Sequence, residues 1–284
     1  MDALVEAAEA AADVAGAVIR PFFRARLPAT LKHDRSPVTI ADRTAEQAMR
    51  AVLAERYPDH GIMGEEFGTD RADARLRWVL DPIDGTRAFI TGRPVFGTLI
   101  ALLDDGVPVL GVIDQPVTGE RWVGVAGRPT RFRGPFGGAA GTRPCAELAA
   151  AELSATSPEM LGPHRQAWDL LAGVVRRVSW GGDCYAYGLL ALGQIDVIAE
   201  ADLKPWDWAA LVPVIEGAGG RITDWAGQTL RVDLSEVALR GDSSEAALRG
   251  DWSEVALRAG GDGRVLAVGD PTLLAPAVAR LGGR

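Results

Sequence analysis

Apolar residues recur at helical spacing through residues 2–24, at Leu4, Val5, Ala8, Ala11, Ala12, Ala15, Val18 and Ile19, which predicts an amphipathic helix. Residues 42–56, DRTAEQAMRAVLAER, predict a second helix with Asp42 near its start and YPDHG as its stop. From Trp78 the texture changes. RWVLDP, VFGTLIALLDDG, VPVLGVIDQP and RWVGVAG are short apolar runs closed by Gly, Pro or Asp, which predicts successive strands with DDG as a hairpin turn. TRFRGPFGGAAGTRP reads as a Gly-rich surface loop. Beyond it, AELSATSP predicts a strand entering a turn, PHRQAWDLLAGVVRR a helix, RVSWGG a strand and CYAYGLLALG a buried helix. IDVIAEA predicts a strand, WDWAALVPVIEGAGG a helix ended by its glycines, and RITDWAGQTL a strand and turn.

Residues 235–261 repeat with a period of nine: SEVALRGDS, SEAALRGDW, SEVALRAGG. Three nonapeptides are too few to stack into a solenoid, so the repeat reads as a duplicated surface-loop insertion and its RGD tripeptides as by-products.

Composition narrows the function. The 284 residues are 48% hydrophobic, enough for one large domain or two that share a core. A net charge of −8 argues against nucleic acid and anionic membranes as partners, since both want Lys/Arg clusters. It does not argue against small anionic substrates, because a bound divalent cation inverts the local field. Cys145 and Cys184 give no disulfide framework. The N-terminus carries acids where a signal peptide needs bases, and no apolar run approaches the ~20 residues that span a bilayer. The expectation is a cytoplasmic protein.

The densest chemistry lies in LDPIDGTRAF, residues 80–89. A predicted strand delivers Asp81 at its end, Pro82 stiffens the turn, and Asp84 follows three residues on. Two carboxylates with the Ile83 carbonyl between them make a set of hard oxygen donors that suits Mg2+. Gly85 permits close approach to the backbone, and the Gly85 and Thr86 amides can form a small anion nest. The same ten residues also suit an Asp-rich structural turn. Further acids bear on the choice. Glu65 and Glu66 lie between glycines in GIMGEEFG, and Asp207 sits between tryptophans in KPWDWAA. Asp207 also fits a plain first-turn acid, and Asp42 a helix cap. His33, His60 and His164 show no ligand spacing and read as surface or core residues.

GEE, then DPIDGT, then WDWAALVPVIEGAGG resembles the inositol monophosphatase family of magnesium-dependent phosphatases, from the N-terminal helix to about residue 231 and again at GRVLAVGDP. The resemblance implies an α/β (α+β) layered sandwich, the inositol monophosphatase/fructose-1,6-bisphosphatase-like αβαβα fold. It implies sub-domains at 1–145, with most metal ligands, and 146–284, with substrate-selecting residues. By position, Glu65, Asp81, the Ile83 carbonyl, Asp84 and Asp207 match metal ligands for two or three Mg2+, with Asp81 bridging. Asp42 and Thr86 match the pair that, with Glu65, orients a water. Gly85 and Thr86 match the phosphate-binding amides. Two cations about 3.5–4 Å apart would neutralise the phosphate and activate water. The family is commonly homodimeric. No Walker A loop or HExxH supports a competing chemistry.

For the substrate, WGGDCYAYGLLALGQID, VIAEADLKPWDW and RAFITGRPVFGTLIALL resemble the histidinol-phosphatase branch. Histidinol phosphate carries an ammonium and an imidazole, which acids at the rim would pair. Asp183 and Glu200 are the residues placed to do so, although Asp183 also fits a cap on its helix. Inositol 1-phosphate or a nucleotide 3′-phosphate is the alternative substrate within the same family. A non-catalytic ligand-binding member is the reading from another class, and loss of a metal ligand would favour it.

Overall fold

The computed structural model describes residues 1–25, 30–31, 37–38, 40–233 and 263–282. The 235–261 repeat and His33 lie outside the described residues.

Helix α1 (Asp2–Ile19) buries one stripe: Ala7, Ala8, Ala11, Ala12, Ala15 and Ile19. It ends earlier than the sequence pattern suggests, passing into a 3-10 turn at Arg20–Phe22 that contains Pro21. A short ladder joins β1 (Thr30–Leu31) to β2 (Pro37–Val38). Helix α2 (Ile40–Arg56) follows, so Asp42 lies inside the first turn.

Seven strands then form one sheet: β3 (Gly61–Gly64), β4 (Gly68–Asp70), β5 (Leu76–Asp84), β6 (Gly97–Asp104), β7 (Val107–Gln115), β8 (Glu120–Val125) and β9 (Arg131–Arg133). Their spatial order is β4-β3-β5-β6-β7-β8-β9, and only β3 with β5 is parallel. The predicted DDG hairpin is present, with Asp105 and Gly106 at φ 49° and 80° between β6 and β7. GIMG, to which the sequence pattern assigns no element, is a strand, and the start of the Gly-rich segment is not loop but the edge strand β9.

A second sheet holds β10 (Glu152–Ala155), β11 (Arg177–Trp180), β12 (Val197–Glu200), β13 (Arg221–Thr223) and β14 (Val265–Val268), in the order β11-β10-β12-β14-β13. The last strand in the chain slots between β12 and β13. The helices of this half are α4 (Arg165–Ala172), α5 (Asp183–Ala191), α6 (Pro205–Trp208), α7 (Leu211–Gly217) and α8 (Leu274–Leu281). The five residues of α3 (Thr86–Ile90) follow β5. WDWAALVPVIEGAGG is therefore two helices rather than one. Pro213 offers no N–H to the carbonyl four residues back, at Ala209, and the chain breaks at Ala209–Ala210.

The layers run α-β-α-β-α. Trp78, Leu80, Ile100, Leu102 and Val112 pack against α1 and α2 on one face of the large sheet. Val79, Leu99, Ile113 and Trp122 face the other way, onto a middle layer of α5, α6 and α7. Ile198, Val265 and Ala267 close that layer from the small sheet, whose outer face packs Leu153, Val197 and Leu266 on α4 and α8. With both faces covered, the strands read as continuous apolar runs. The middle layer is seated on glycines. Gly111 and Gly124 are cross-strand partners, and a Cβ on either would run into the backbone of Ala210 or of Pro213–Val214.

Candidate active site

The end of β5 brings the acids together. Between Asp81 and Asp84 the pairing with β6 shifts register, so one extra residue bulges out. Pro82 cannot donate, and its carbonyl accepts the Thr98 hydroxyl at 2.8 Å. Asp81 accepts the Ile83 N–H at 3.0 Å, and Thr86 Oγ1 donates to the Ile83 carbonyl at 3.1 Å. The chain then turns at Gly85, φ 83°, into α3. A Cβ there would lie 2.8 Å from Asp183 Cγ, so Asp183 packs directly on the DGT turn.

Asp207 comes from the far side, in α6. One of its oxygens accepts the Lys204 N–H at 2.7 Å, closing the helix start. The first-turn reading holds for that oxygen, and it leaves the carboxylate among the other acids. One carboxylate oxygen from each of Asp81, Asp84 and Asp207 lies within 4.8 Å of the others. Asp84 also accepts the Cys184 N–H at 2.6 Å, in the first turn of α5, from a residue 100 positions away. The capping reading of Asp183 has no support here: α5 has no side-chain cap bond, and Asp183 takes the left-handed φ of 44°.

A cavity of about 360 Å³ opens over this cluster. Glu65, Asp81, Ile83, Asp84, Gly85, Thr86, Asp183, Glu200 and Asp207 all line it. Asp42 is buried and not part of the lining, yet its charge reaches Asp81. A larger cavity, about 620 Å³, lies elsewhere at Arg143, Glu152, Arg177 and Asp196. Its Arg143 and Arg177 are tied up in two-point ion pairs with Asp196 and Glu152, and none of the clustered acids reaches it.

The electrostatics call for a positive charge at this point. Burial pushes Asp81 well above the carboxylate range, and Glu65, Asp84, Asp207 and Asp42 push it further. Burial does the same to Asp84, helped by Asp183 and Asp207. Asp207 is pushed up to about 7, by burial first and then by Glu65. Crowded, part-buried carboxylates with hard oxygens fit a divalent cation such as Mg2+. Asp183 rises to about 6 through burial and Glu200, opposed by Arg93 and Arg87 at the cavity mouth. Both Glu200 oxygens are engaged: one accepts the Thr156 N–H at 2.6 Å and the other the Tyr187 hydroxyl at 2.9 Å, which leaves each with further acceptor capacity.

A family model described as the inositol monophosphatase family matches residues 1–256. The chain belongs to the inositol monophosphatase family. The match runs past residue 231 into the repeat, which the sequence motifs alone placed outside the resemblance. This family member is 48% identical to the chloroplastic bifunctional phosphatase IMPL2 of Arabidopsis thaliana, over 84% of this chain and 69% of that protein. It is 38% identical to a histidinol-phosphatase of Chlorobaculum parvum, over 78% of this chain and 86% of that one. An inositol monophosphatase structure from Zymomonas mobilis superposes with a TM-score of 0.81 at 46% identity, covering 99% of this chain and 98% of the other. The inositol monophosphatase fold and a phosphomonoester hydrolase follow.

Sequence reasoning missed Tyr187, Thr156 and the arginines at the mouth, which nothing in local pattern marks. It also missed Glu46, which is fully buried in α2. That one had a signal: Ala41, Asp42, Ala45, Glu46 and Met49 form one buried stripe, and an acid inside such a stripe needs a partner.

Proposed function

We propose that this phosphatase hydrolyses L-histidinol phosphate, using Mg2+ held by Glu65, Asp81, the Ile83 carbonyl, Asp84 and Asp207. Bound Mg2+ supplies charge neutralisation at the phosphate and a lowered pKa for water. The chain's own residues do the rest. Gly85 and Thr86 amides at the turn into α3 bind phosphoryl oxygens. Thr86, Asp42 and Glu65 orient the attacking water and hold its proton. The family resemblance extends this reading to two or three Mg2+ per site and a cytoplasmic homodimer, with a functional division near residue 145.

The observation that carries the substrate is that the cavity holds acids beyond the metal set. Asp183 and Glu200 line it together with the cluster, and a substrate with a cationic tail gives them a partner. The histidinol-phosphatases among the relatives support this. A second reading, inositol 1-phosphate, is favoured by one feature: Glu200 already accepts two hydrogen bonds and would suit a hydroxyl as well as a cation. A relative in Mycolicibacterium smegmatis, 32% identical over 62% of this chain, is an inositol-1-monophosphatase. Steady-state phosphate release with Mg2+ separates them. A higher kcat/KM for L-histidinol phosphate than for inositol 1-phosphate is expected; the reverse order overturns the substrate assignment.

A further inference from the structure

Glu46 lies one helical turn after Asp42 on the same buried stripe of α2, and hydrolysis as described above does not use it. Its Oε2 accepts the Glu66 N–H at 2.7 Å, and its Oε1 accepts the Phe67 N–H at 3.3 Å and Arg50 Nε at 2.7 Å. Arg50 continues to Asp70 at 2.8 Å and to the Gly68 carbonyl at 2.5 Å. On the other side, any Cβ at Gly64 would run into the Glu46 carboxylate. Glu65 sits in the middle of this clasp. Its own N–H goes to the Leu80 carbonyl at 3.3 Å, so three successive amides, 65 to 67, are held, two of them by Glu46.

We infer that Glu46 is a positioning residue for the metal centre, fixing the Glu65 loop to the helix that carries Asp42. The inference rests on Glu65 being a metal ligand. Burying an ion pair contributes little net stability compared with apolar packing, so stability alone gives weak reason for an acid here. Holding a ligand-bearing loop in one geometry is what an outer partner of a metal ligand does, and losing such a partner typically costs about 10–100-fold in metal affinity or activity.

The test compares Glu46→Gln, Glu65→Gln and the double variant by Mg2+ calorimetry, thermal melting and kcat with KM. Gln keeps the volume, but its amide leaves at least one of the three donors facing another donor. Glu46→Gln is expected to weaken Mg2+ binding by about 10-fold or more and to lower kcat more than it raises KM. Added to Glu65→Gln, it should cost little more, because both act through one ligand. Wild-type Mg2+ affinity in a Glu46→Gln protein that merely melts lower overturns the inference, as does full additivity in the double variant. If Glu65→Gln itself binds Mg2+ like wild type, the metal reading falls first and this inference with it. Should Glu46→Gln not fold, Gly64→Ala displaces the same clasp with both acids intact, and the same loss of Mg2+ affinity is expected; unchanged affinity there also overturns it.

Discussion

Asp207 and Thr86 each make a fold contact and also line the cavity. Asp207 closes the start of α6 with one oxygen and offers a carboxylate oxygen to the acid cluster. Thr86 donates to the Ile83 carbonyl and keeps its oxygen as an acceptor. Gly85 has a positive φ and an Asp183 side chain where its Cβ would be. A residue with a Cβ held in that backbone region costs about 1–3 kcal/mol. Gly85→Ala should therefore cut kcat/KM by about 10-fold or more for a modest drop in melting temperature, since about 1.4 kcal/mol in the transition state is already tenfold. Undiminished activity would contradict the cradle. Asp183→Asn should raise KM for L-histidinol phosphate more than for a phosphomonoester without a cationic tail, such as inositol 1-phosphate. Equal effects in the two assays would leave Asp183 with a structural role only.

Among the elements, those whose chemistry is contiguous in the chain are legible from local pattern alone. DPIDGT carries its own turn, bulge and acids in six residues, and the long apolar strands announce themselves. Short pieces are not legible in this way. GIMG and VLAV are four-residue strands, too brief for a period, and β14 reaches its place between β12 and β13 only through tertiary pairing. The meeting of Asp84 with the α5 amide spans 100 residues, and no local pattern encodes it. The seat of α6 and α7 depends on the Gly111–Gly124 pair. Gly124→Ala forces a methyl group into the Pro213–Val214 peptide, an overpacking error of about 1–3 kcal/mol. At about 2–4 °C per kcal/mol for a chain somewhat smaller than this one, the melting temperature should fall by several degrees. Asp207 lies in α6, joined to the displaced helix through Ala209–Ala210, so Mg2+ affinity should fall too; an unchanged melting curve would show the contact to be slack.

The whole molecule places two sheets about a shared helical layer and gathers acid where they meet. No helix among the described residues is long and apolar enough to cross a membrane. Gathered acids make stability depend on pH in a direction that the shifts fix. Asp207 rises from 3.8 to about 7 in the metal-free protein, and Asp81 and Asp84 also rise. Between those two pH values the folded state binds more protons than the unfolded one, so these groups lower stability as pH increases through that window. Mg2+ needs the carboxylates deprotonated and binds only the folded site. The Mg2+-induced rise in melting temperature should therefore be larger at about pH 8 than at about pH 5.5. An equal rise at both would mean that the clustered acids do not hold the metal.

The most direct test is Mg2+-dependent phosphate release from L-histidinol phosphate by wild-type protein and by Asp81→Asn, with circular dichroism to check that the variant is folded. Asp81 lies at the centre of the cluster, so its loss should exceed the roughly 100-fold upper range for an outer partner. Chelation with EDTA should bring wild type down to the same level. A folded Asp81→Asn protein that still releases phosphate at a rate near that of wild type would contradict the assignment of hydrolysis to this cluster.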